Sequence, residues 1–292
     1  MNRAIFNSSF GDRNVSLWKR LRFASMPIFF LFVLTSPSFS QTKGGYYALV
    51  YSKSGVIGSI EFNGMTIVPE SNKEDVTGQI DLNVWIRPGV NKIKVKGIRK
   101  RKEDEFAPRI KATLYLAQKG QFPDEGQRIA GFEWQEDEGK PILPLDEEVS
   151  FTPTEVPPSE LWKIAEDIEL NSEDKEKIQK LISDLYDAFR KKDEKKLFDL
   201  MEFRAKELAK ARYESQEEYT EDLKKGIRAI SKSIGGQLDK LDLKNLQYQV
   251  IADKKVVFVT TKSGNSPIEN KKKGYSAPIH LSKIKGEWII SR

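Results

Sequence analysis

Cysteine is absent from this chain of 292 residues, and histidine occurs only once. Without cysteine there can be no disulfide, thiolate nucleophile, zinc ribbon or iron–sulfur cluster. A single histidine also argues against the multi-histidine sites that hold zinc. We therefore expect no metal and no cofactor, and the composition favours a protein without catalytic activity over an enzyme.

The common catalytic and nucleotide-binding motifs are missing as well. The sequence contains no G-x-S-x-G, no P-loop, no G-x-G-x-x-G after a strand and no EF-hand loop. The one histidine, His280, lies opposite the apolar face of an alternating segment at residues 274–284. We expect it on the outer surface of a sheet, either in solvent or at an interface. An acid–base role in a pocket is the alternative.

A long apolar run is also lacking. The apolar stretch at residues 23–34 is much shorter than the roughly 20 residues that a membrane-spanning helix needs. It follows a basic segment and precedes small residues, among them Ser38 and Ser40. This order is typical of a secretory signal peptide. We predict a signal peptide at residues 1–40, cleavage before Gln41, and a periplasmic or secreted protein without a stable membrane anchor after cleavage.

Removal of this segment changes the charge of the protein. The whole chain has a net charge of +6, but residues 1–40 contain five basic side chains and one acidic side chain, so +2 remains. Nucleic-acid binding therefore loses its main compositional support, and we expect no nucleic-acid partner.

Residues 41–155 have the features of an all-β sandwich. Short alternating segments are separated by turn dipeptides, of which Asn63-Gly64 is a strong hairpin signal. Residues 80–86 alternate and are predicted to form one strand. A Pro88-Gly89 turn then leads to a second strand at residues 92–98. Short strands at regular spacing are typical of such a sandwich.

Two segments carry a family resemblance. The sequences F-N-G-M-T-I-V at residues 62–68 and N-V-W-I-R-P-G-V-N-K-I-K-V at residues 83–95 resemble jelly-roll modules of the galactose-binding-like superfamily. The resemblance implies a jelly-roll sandwich. If the module bound carbohydrate, Trp85 and Trp134 would be its aromatic candidates, with a position in the core as the alternative for both.

The proline-rich segment that follows the predicted sandwich indicates a domain boundary. Pro153, Pro157 and Pro158 lie close together, and a proline-rich segment forms an extended, semi-rigid spacer. We expect a linker with a short helix at residues 156–170. We also expect few contacts across it, so that the two flanking domains fold separately.

From residue 171 onward, apolar residues recur with the spacing of an α-helix. The first helix has one apolar stripe, and two further helices follow, each with a capping residue (Asn171 or Ser172, Asp193 and Ser215). Alternating segments then predict a four-strand antiparallel sheet. The whole chain is thus predicted as two domains, an all-β sandwich followed by an α+β domain.

The entry helix at residues 178–201 and the final G-E-W-I-I-S segment at residues 286–291 resemble the start and end of NTF2-like domains. The resemblance implies a cone in which a curved sheet wraps the first helix around a pocket. Enzymes of that superfamily carry an Asp–His or similar pair in the pocket, and no such pair can be located here. The candidate pocket-lining residues, for which a core position is the alternative, are Tyr186, Phe189, Tyr219, Tyr248, Tyr275 and Trp288.

These observations favour an exported bacterial binding or scaffold protein without catalysis. The cone would hold a small apolar ligand, or the outer sheet face of the C-terminal domain would bind a protein partner or a second copy of the chain. One alternative is a periplasmic immunity-type protein that neutralises a secreted toxin. Another is a small hydrolase or isomerase that uses the cone pocket.

The signal peptide gives the first testable prediction. N-terminal sequencing of the exported protein should find Gln41 as the first residue, because cleavage follows the small residue Ser40. A mature protein that begins with Met1, or one that stays in the membrane fraction, would contradict export with cleavage.

Overall fold

The computed structural model describes residues 44–71, 75–100, 107–137, 143–234 and 236–292. The signal peptide predicted at residues 1–40 and its cleavage point lie outside these ranges. We refer below to residues 44–151 as the first half and to residues 161–292 as the second half.

The first half is built from antiparallel strands. They are β1 (Tyr46–Ser54), β2 (Val56–Phe62), β3 (Met65–Ser71), β4 (Val76–Asp81), β5 (Asn91–Lys100), β6 (Arg109–Ala117), β7 (Gln127–Gln135) and β8 (Leu145–Phe151). One sheet has the order β4-β1-β6-β7 and the other β3-β2-β5-β8. Their fully buried apolar side chains, such as Leu49, Ile60, Ile93 and Leu114, belong to one core. The predicted antiparallel β region is thus confirmed.

Three buried asparagines organise one end of this half. Asn63 and Gly64 form the predicted hairpin turn, both with positive φ (49° and 81°). The Asn63 side chain donates to the Trp85 carbonyl at 3.1 Å and to Asn91 Oδ1 at 2.8 Å. These bonds tie the turn to the loop at residues 82–90, because buried amides need partners. Asn63 and Asn91 belong to the two segments that resemble jelly-roll modules, and in the structure they hold this loop in place.

The single strand predicted at residues 80–86 is wrong. Strand β4 ends at Asp81, and residues Asn83–Trp85 form a 3-10 turn. The buried Asn83 side chain accepts from the Tyr47 amide at 2.6 Å and donates to the Ala211 carbonyl at 2.7 Å. Such side-chain bonds compete with the hydrogen bonds of a strand. The turn also buries Trp85, and Trp134 is buried on β7, so neither offers an exposed platform for a sugar.

The proline-rich segment is not a free spacer. The Tyr47 hydroxyl donates to the Glu155 carbonyl at 2.7 Å. The amides of Glu160 and Leu161, at the start of the short helix α1 (Leu161–Ile164), donate to Glu207 at 2.9 and 3.2 Å. The expectation of few cross-contacts is therefore wrong, because the segment is bonded to both halves.

The second half contains three long helices followed by strands. They are α2 (Ser172–Lys191), α3 (Glu194–Ala211), α4 (Gln216–Ser233), β9 (Leu246–Ile251), β10 (Val256–Thr261), β11 (Ile268–Asn270), β12 (Tyr275–Ala277), β13 (Ile279–Ile284) and β14 (Glu287–Ile290). The predicted four-strand antiparallel sheet has the order β14-β13-β10-β9. The strand predicted at residues 274–284 is interrupted at Pro278, since proline has no amide hydrogen for the ladder.

The helix caps agree with the sequence. The side chain of Asn171 accepts from the Asp174 amide at 2.8 Å, Asp193 caps α3, and Ser215 caps α4. The apolar stripe of α2 packs on one face of the sheet in a second core. Within it, the rings of Phe189 and Tyr275 lie 6.2 Å apart at 65°.

The first half covers the opposite face of this sheet. The Trp85 ring lies 4.9 Å from His280, and His280 stacks on Phe258 at 4.6 Å. The Ala252 amide donates to the Asn63 carbonyl at 2.9 Å. The outer sheet face, predicted above as a partner surface, is in contact with the chain's own first half at these positions.

None of the helices in the ranges given above combines the length and the apolar character needed to cross a bilayer.

The contact between the halves predicts that they unfold together. Leu114 is fully buried in the first half, and Leu114→Ala should cost about 2–5 kcal/mol. The long helices all lie in the second half, and their unfolding can be followed by far-UV circular dichroism. The midpoint of this transition should move to a lower urea concentration, and the protein should still unfold in one transition. A helical signal with an unchanged midpoint would contradict this, and would instead support two domains that fold separately.

Candidate functional site

Three arginines lie close enough to affect one another's ionisation, but only two have a counter-ion. Arg212 Nε lies 2.7 Å from Asp81 Oδ2. Arg292 Nη1 lies 3.3 Å from Glu207 Oε2. Arg204 makes no ion pair and no hydrogen bond through its side chain to any residue that the structure describes. A third acidic side chain, Glu214, acts on the charge of Arg212 without an ion pair of its own, so Arg204 is the one arginine of the three that has no ion pair within the described residues.

The position of Arg204 on α3 is unusual. The apolar stripe of this helix runs through Leu197, Leu200, Met201 and Leu208. Arg204 follows Leu197 by seven residues, so it stands on the stripe at a position where an apolar residue is expected. The residue is half-buried there, so its guanidinium is only partly removed from water.

The phenols of Tyr219 and Tyr275 are near enough to Arg204 to act on its charge. On α3, Leu200 and Met201 lie one turn before Arg204, where residues three and four apart are neighbours. On α4, Tyr219 and Leu223 are similarly one turn apart, and Tyr275 comes from β12. We call this set the Arg204 cleft, formed by Leu200, Met201, Arg204, Tyr219, Leu223 and Tyr275, all of them half-buried.

Burial and charge define the electrostatics of the cleft. Desolvation lowers the pKa of Arg204 and the nearby charge of Arg212 acts in the same direction, while the phenols of Tyr219 and Tyr275 oppose the shift. An arginine remains protonated at neutral pH despite such a shift. Burial also raises the pKa of both phenols, so they are neutral hydroxyl groups that can donate hydrogen bonds.

The Glu207–Arg292 pair has a structural role. Glu207 is buried and accepts from the Ser159 hydroxyl at 2.6 Å, in addition to the two amides at the start of α1. The Arg292 guanidinium lies 4.8 Å from the Trp162 ring. Burial lowers the pKa of Arg292 to about 10, with Glu207 opposing and Arg204 adding to the shift. This pair therefore fastens the start of α1 to α3.

His280 is a neutral residue at an interface within the chain. It is 7% exposed, and its Nε2 is buried without a hydrogen-bond partner among the described residues. Burial lowers its pKa to about 3, and the positive charges of Arg204 and Arg292 act in the same direction. A base with so low a pKa is poorly matched to proton transfer at neutral pH. The interface position, one of the two expected, is where the structure places it.

The structure brings most of the predicted pocket residues to the second core. Tyr275 packs there against Phe189, whereas Tyr219 packs against the first core, and both phenols lie near Arg204. Phe189 is 1% exposed in the second core, and Trp288 is buried there with its Nε1 donating to Asp174 at 3.0 Å. The other two contact the same core from its margin: they are Tyr186 and Tyr248, whose hydroxyl accepts from Gln179 at 3.2 Å.

Arg204 and Arg212 were missed by reasoning from the sequence. A usable signal was present for Arg204, since it interrupts an apolar stripe that is otherwise regular. For Arg212 no local signal exists, because its partner Asp81 lies in the first half.

Comparisons with known proteins do not assign the chain to a family. No protein-family model, no curated protein and no solved structure matches it significantly. Within the described ranges, no group of three or more His, Asp or Glu side chains is arranged to hold a metal ion.

His280 predicts a pH dependence of stability. Its pKa is lower in the folded state than the value of about 6.5 in an unfolded chain, so only the unfolded state takes up a proton between about pH 6.5 and 3. Stability is therefore complete above about pH 6.5 and falls as the pH is lowered. The slope contributed by His280 should approach ~1.4 kcal/mol per pH unit.

The measurement compares the wild type with His280→Gln by urea unfolding between pH 6.5 and 5, a range in which carboxylates contribute little. We expect the free energy of unfolding of the variant to vary much less across this range. Equal slopes in the two proteins would show that His280 is not buried in a neutral form.

Proposed function

We propose that the protein is an exported, non-catalytic binding protein whose second half holds a small anionic ligand in the Arg204 cleft. The observation that carries the proposal is a half-buried arginine with no ion pair among the described residues, beside two neighbouring arginines that each have one. Its position on the apolar stripe of α3 supports the same reading.

The energetic argument is that Arg204 is unfavourable for folding alone. Partial removal of a charge from water is unfavourable unless a partner compensates it, and the charge of an arginine is not relieved by deprotonation. Proteins retain such groups mainly where function requires them. An anion in the cleft would supply the missing charge, and the hydroxyls of Tyr219 and Tyr275 would donate to it.

The family resemblances form part of the proposal. A long first helix packed on one face of an antiparallel sheet is in keeping with an NTF2-like second half, and the pair of sheets in the first half with a jelly-roll module. The small apolar ligand expected from the sequence becomes an anionic one here, because Arg204 adds a charge to the apolar walls.

Ligand binding is better supported than the other roles. The outer sheet face is occupied by Trp85 at His280, which disfavours that face as a surface for a second copy, a toxin or another protein. For a hydrolase or isomerase, a histidine with a pKa of about 3, stacked between aromatic rings, is a poor acid–base group.

The test is a stability measurement without ligand. Arg204→Met replaces the aliphatic stem of arginine by an unbranched apolar side chain at the same place on the stripe and removes the charge. We expect the free energy of unfolding to rise by about 1–3 kcal/mol, because replacing an uncompensated charge by an apolar group stabilises the fold. Urea unfolding of wild type and variant measures the difference.

Arg212→Met is the matched control. It removes the same charge at the C-terminal end of α3. Because it leaves Asp81 without its ion-pair partner, stability should fall. If Arg204→Met destabilised the protein as Arg212→Met does, Arg204 would be a structural residue and the proposed binding function would lose its support.

A further inference from the structure

We infer that one end of the second half binds reversibly to the surface of a membrane that contains anionic phospholipids. The inference goes beyond the Arg204 cleft and does not depend on it. Three observations lead to it: the chain brings three lysine-rich segments together, most of their basic side chains have no ion pair, and their chemistry suits a layer of phosphate headgroups.

The three segments are far apart in the sequence. Residues 187–193 form the last turn of α2 and the two residues after it. Residues 232–240 run from the last turn of α4 into the following loop. Residues 269–273 contain the end of β11 and the 3-10 turn that leads to β12. We call these three segments together the basic end.

Backbone contacts hold the three segments beside one another. The Asp239 amide donates to the Glu269 carbonyl at 2.9 Å, and the Lys271 amide donates to Asp239 Oδ2 at 3.2 Å. On the side of α2, a Cβ added to Gly236 would lie 3.6 Å from the Arg190 carbonyl oxygen. The basic side chains of the three segments therefore lie on one region of the surface.

The basic end has a high net positive charge. It contains eight basic and four acidic side chains, so its net charge is +4. Residues 41–292 carry a net charge of +2 in all, so the remainder of that part of the chain is net negative. Such an asymmetry orients a protein toward an anionic surface before contact is made.

Six of the eight basic side chains have no ion pair within the described part of the chain. Lys191 pairs with Asp187, and Lys271 pairs with Glu269. The six others are all exposed: they are Arg190, Lys192, Lys232, Lys240, Lys272 and Lys273. Their charges are therefore available to an anionic partner.

Helix stability explains only half of these six. The three at the ends of α2 and α4 lie where the helix dipole favours a cation. Lys240 lies in a loop, and Lys272 and Lys273 lie on the 3-10 turn, so these three gain nothing from the dipoles of the long helices. An anionic surface would relieve the repulsion among them.

The composition of the basic end favours a membrane over a nucleic acid. Seven of its eight basic side chains are lysines, which act as point charges, whereas arginine is preferred for bidentate contacts to phosphates and bases. Its one aromatic side chain, Phe189, is 1% exposed, so it offers no ring on which a base could stack. Clusters of about four to eight Lys or Arg are typical of surfaces that bind anionic lipids.

The experiment is co-sedimentation of the purified protein with vesicles of phosphatidylcholine, prepared with and without phosphatidylglycerol. We expect tighter binding to the vesicles that contain phosphatidylglycerol. This binding should weaken strongly between about 0.05 M and about 0.5 M salt, because salt screens exposed charges. Vesicles of phosphatidylcholine alone are the reference, since the apolar segment at residues 23–34, where present, would bind to both kinds.

The test variant is Lys240→Gln/Lys272→Gln/Lys273→Gln, which removes three exposed charges and no ion pair of the described residues. Each basic side chain near an anionic surface strengthens binding by about fivefold. The variant should therefore bind to phosphatidylglycerol vesicles about 100-fold more weakly than the wild type. Its midpoint of urea unfolding should change little, because the side chains are exposed and unpaired.

The matched control is Lys119→Gln/Lys163→Gln/Lys285→Gln, which removes three other exposed lysines without an ion pair among the described residues. Lys119 lies in the first half and Lys163 on α1. Lys285 follows β13, where Lys283 pairs with Asp174 at the end of α2 opposite the basic end. The control should bind nearly as tightly as the wild type. Equal losses in the two triple variants would indicate attraction by net charge alone and would overturn the inference.

Two further outcomes would also contradict the membrane partner. One is binding to phosphatidylglycerol vesicles that is no tighter than binding to phosphatidylcholine alone. The other is a DNA oligonucleotide that binds more tightly than the vesicles and depends on the same three lysines, which would make a nucleic acid the partner. Neither result would affect the proposal for the Arg204 cleft, which is tested by other variants.

Discussion

The packing of Trp85 against His280, which itself stacks on Phe258, joins the two halves of the protein. Buried amides at Asn63 and Asn83 hold the loop that carries Trp85, so a polar network on one side supports an apolar contact on the other. Since this contact covers the outer face of the last sheet, it keeps His280 neutral.

The distribution of buried charge follows from the same arrangement. Glu207 and Asp81 each compensate an arginine at a junction between segments, so these pairs stabilise the fold. Arg204 stands on the apolar stripe of α3 with no such partner. A leucine or methionine there would continue the apolar stripe, and the anionic ligand that we propose would give the guanidinium a partner.

The sequence predicts the structure correctly where the conformation depends on residues that are close together in the chain. The Asn63-Gly64 turn, the caps at Asn171, Asp193 and Ser215, and the order of helices followed by a four-strand sheet depend on nearby residues. It failed at Asn83, where long-range bonds to Tyr47 and Ala211 replace a strand. The candidate site was found only in part. Tyr219 and Tyr275 were identified as aromatic residues, but the missing counter-ion of Arg204 is a property of the assembled fold.

The most direct test of the central claim is a crystal structure of the protein grown with 4-bromobenzoate, with the bromine located by anomalous scattering. The account predicts a bromine peak among Leu200, Met201 and Leu223, with the carboxylate within hydrogen-bond distance of the Arg204 guanidinium and the two phenols. A cleft filled by its own side chains, or a bromine peak only on the surface away from Arg204, would contradict it.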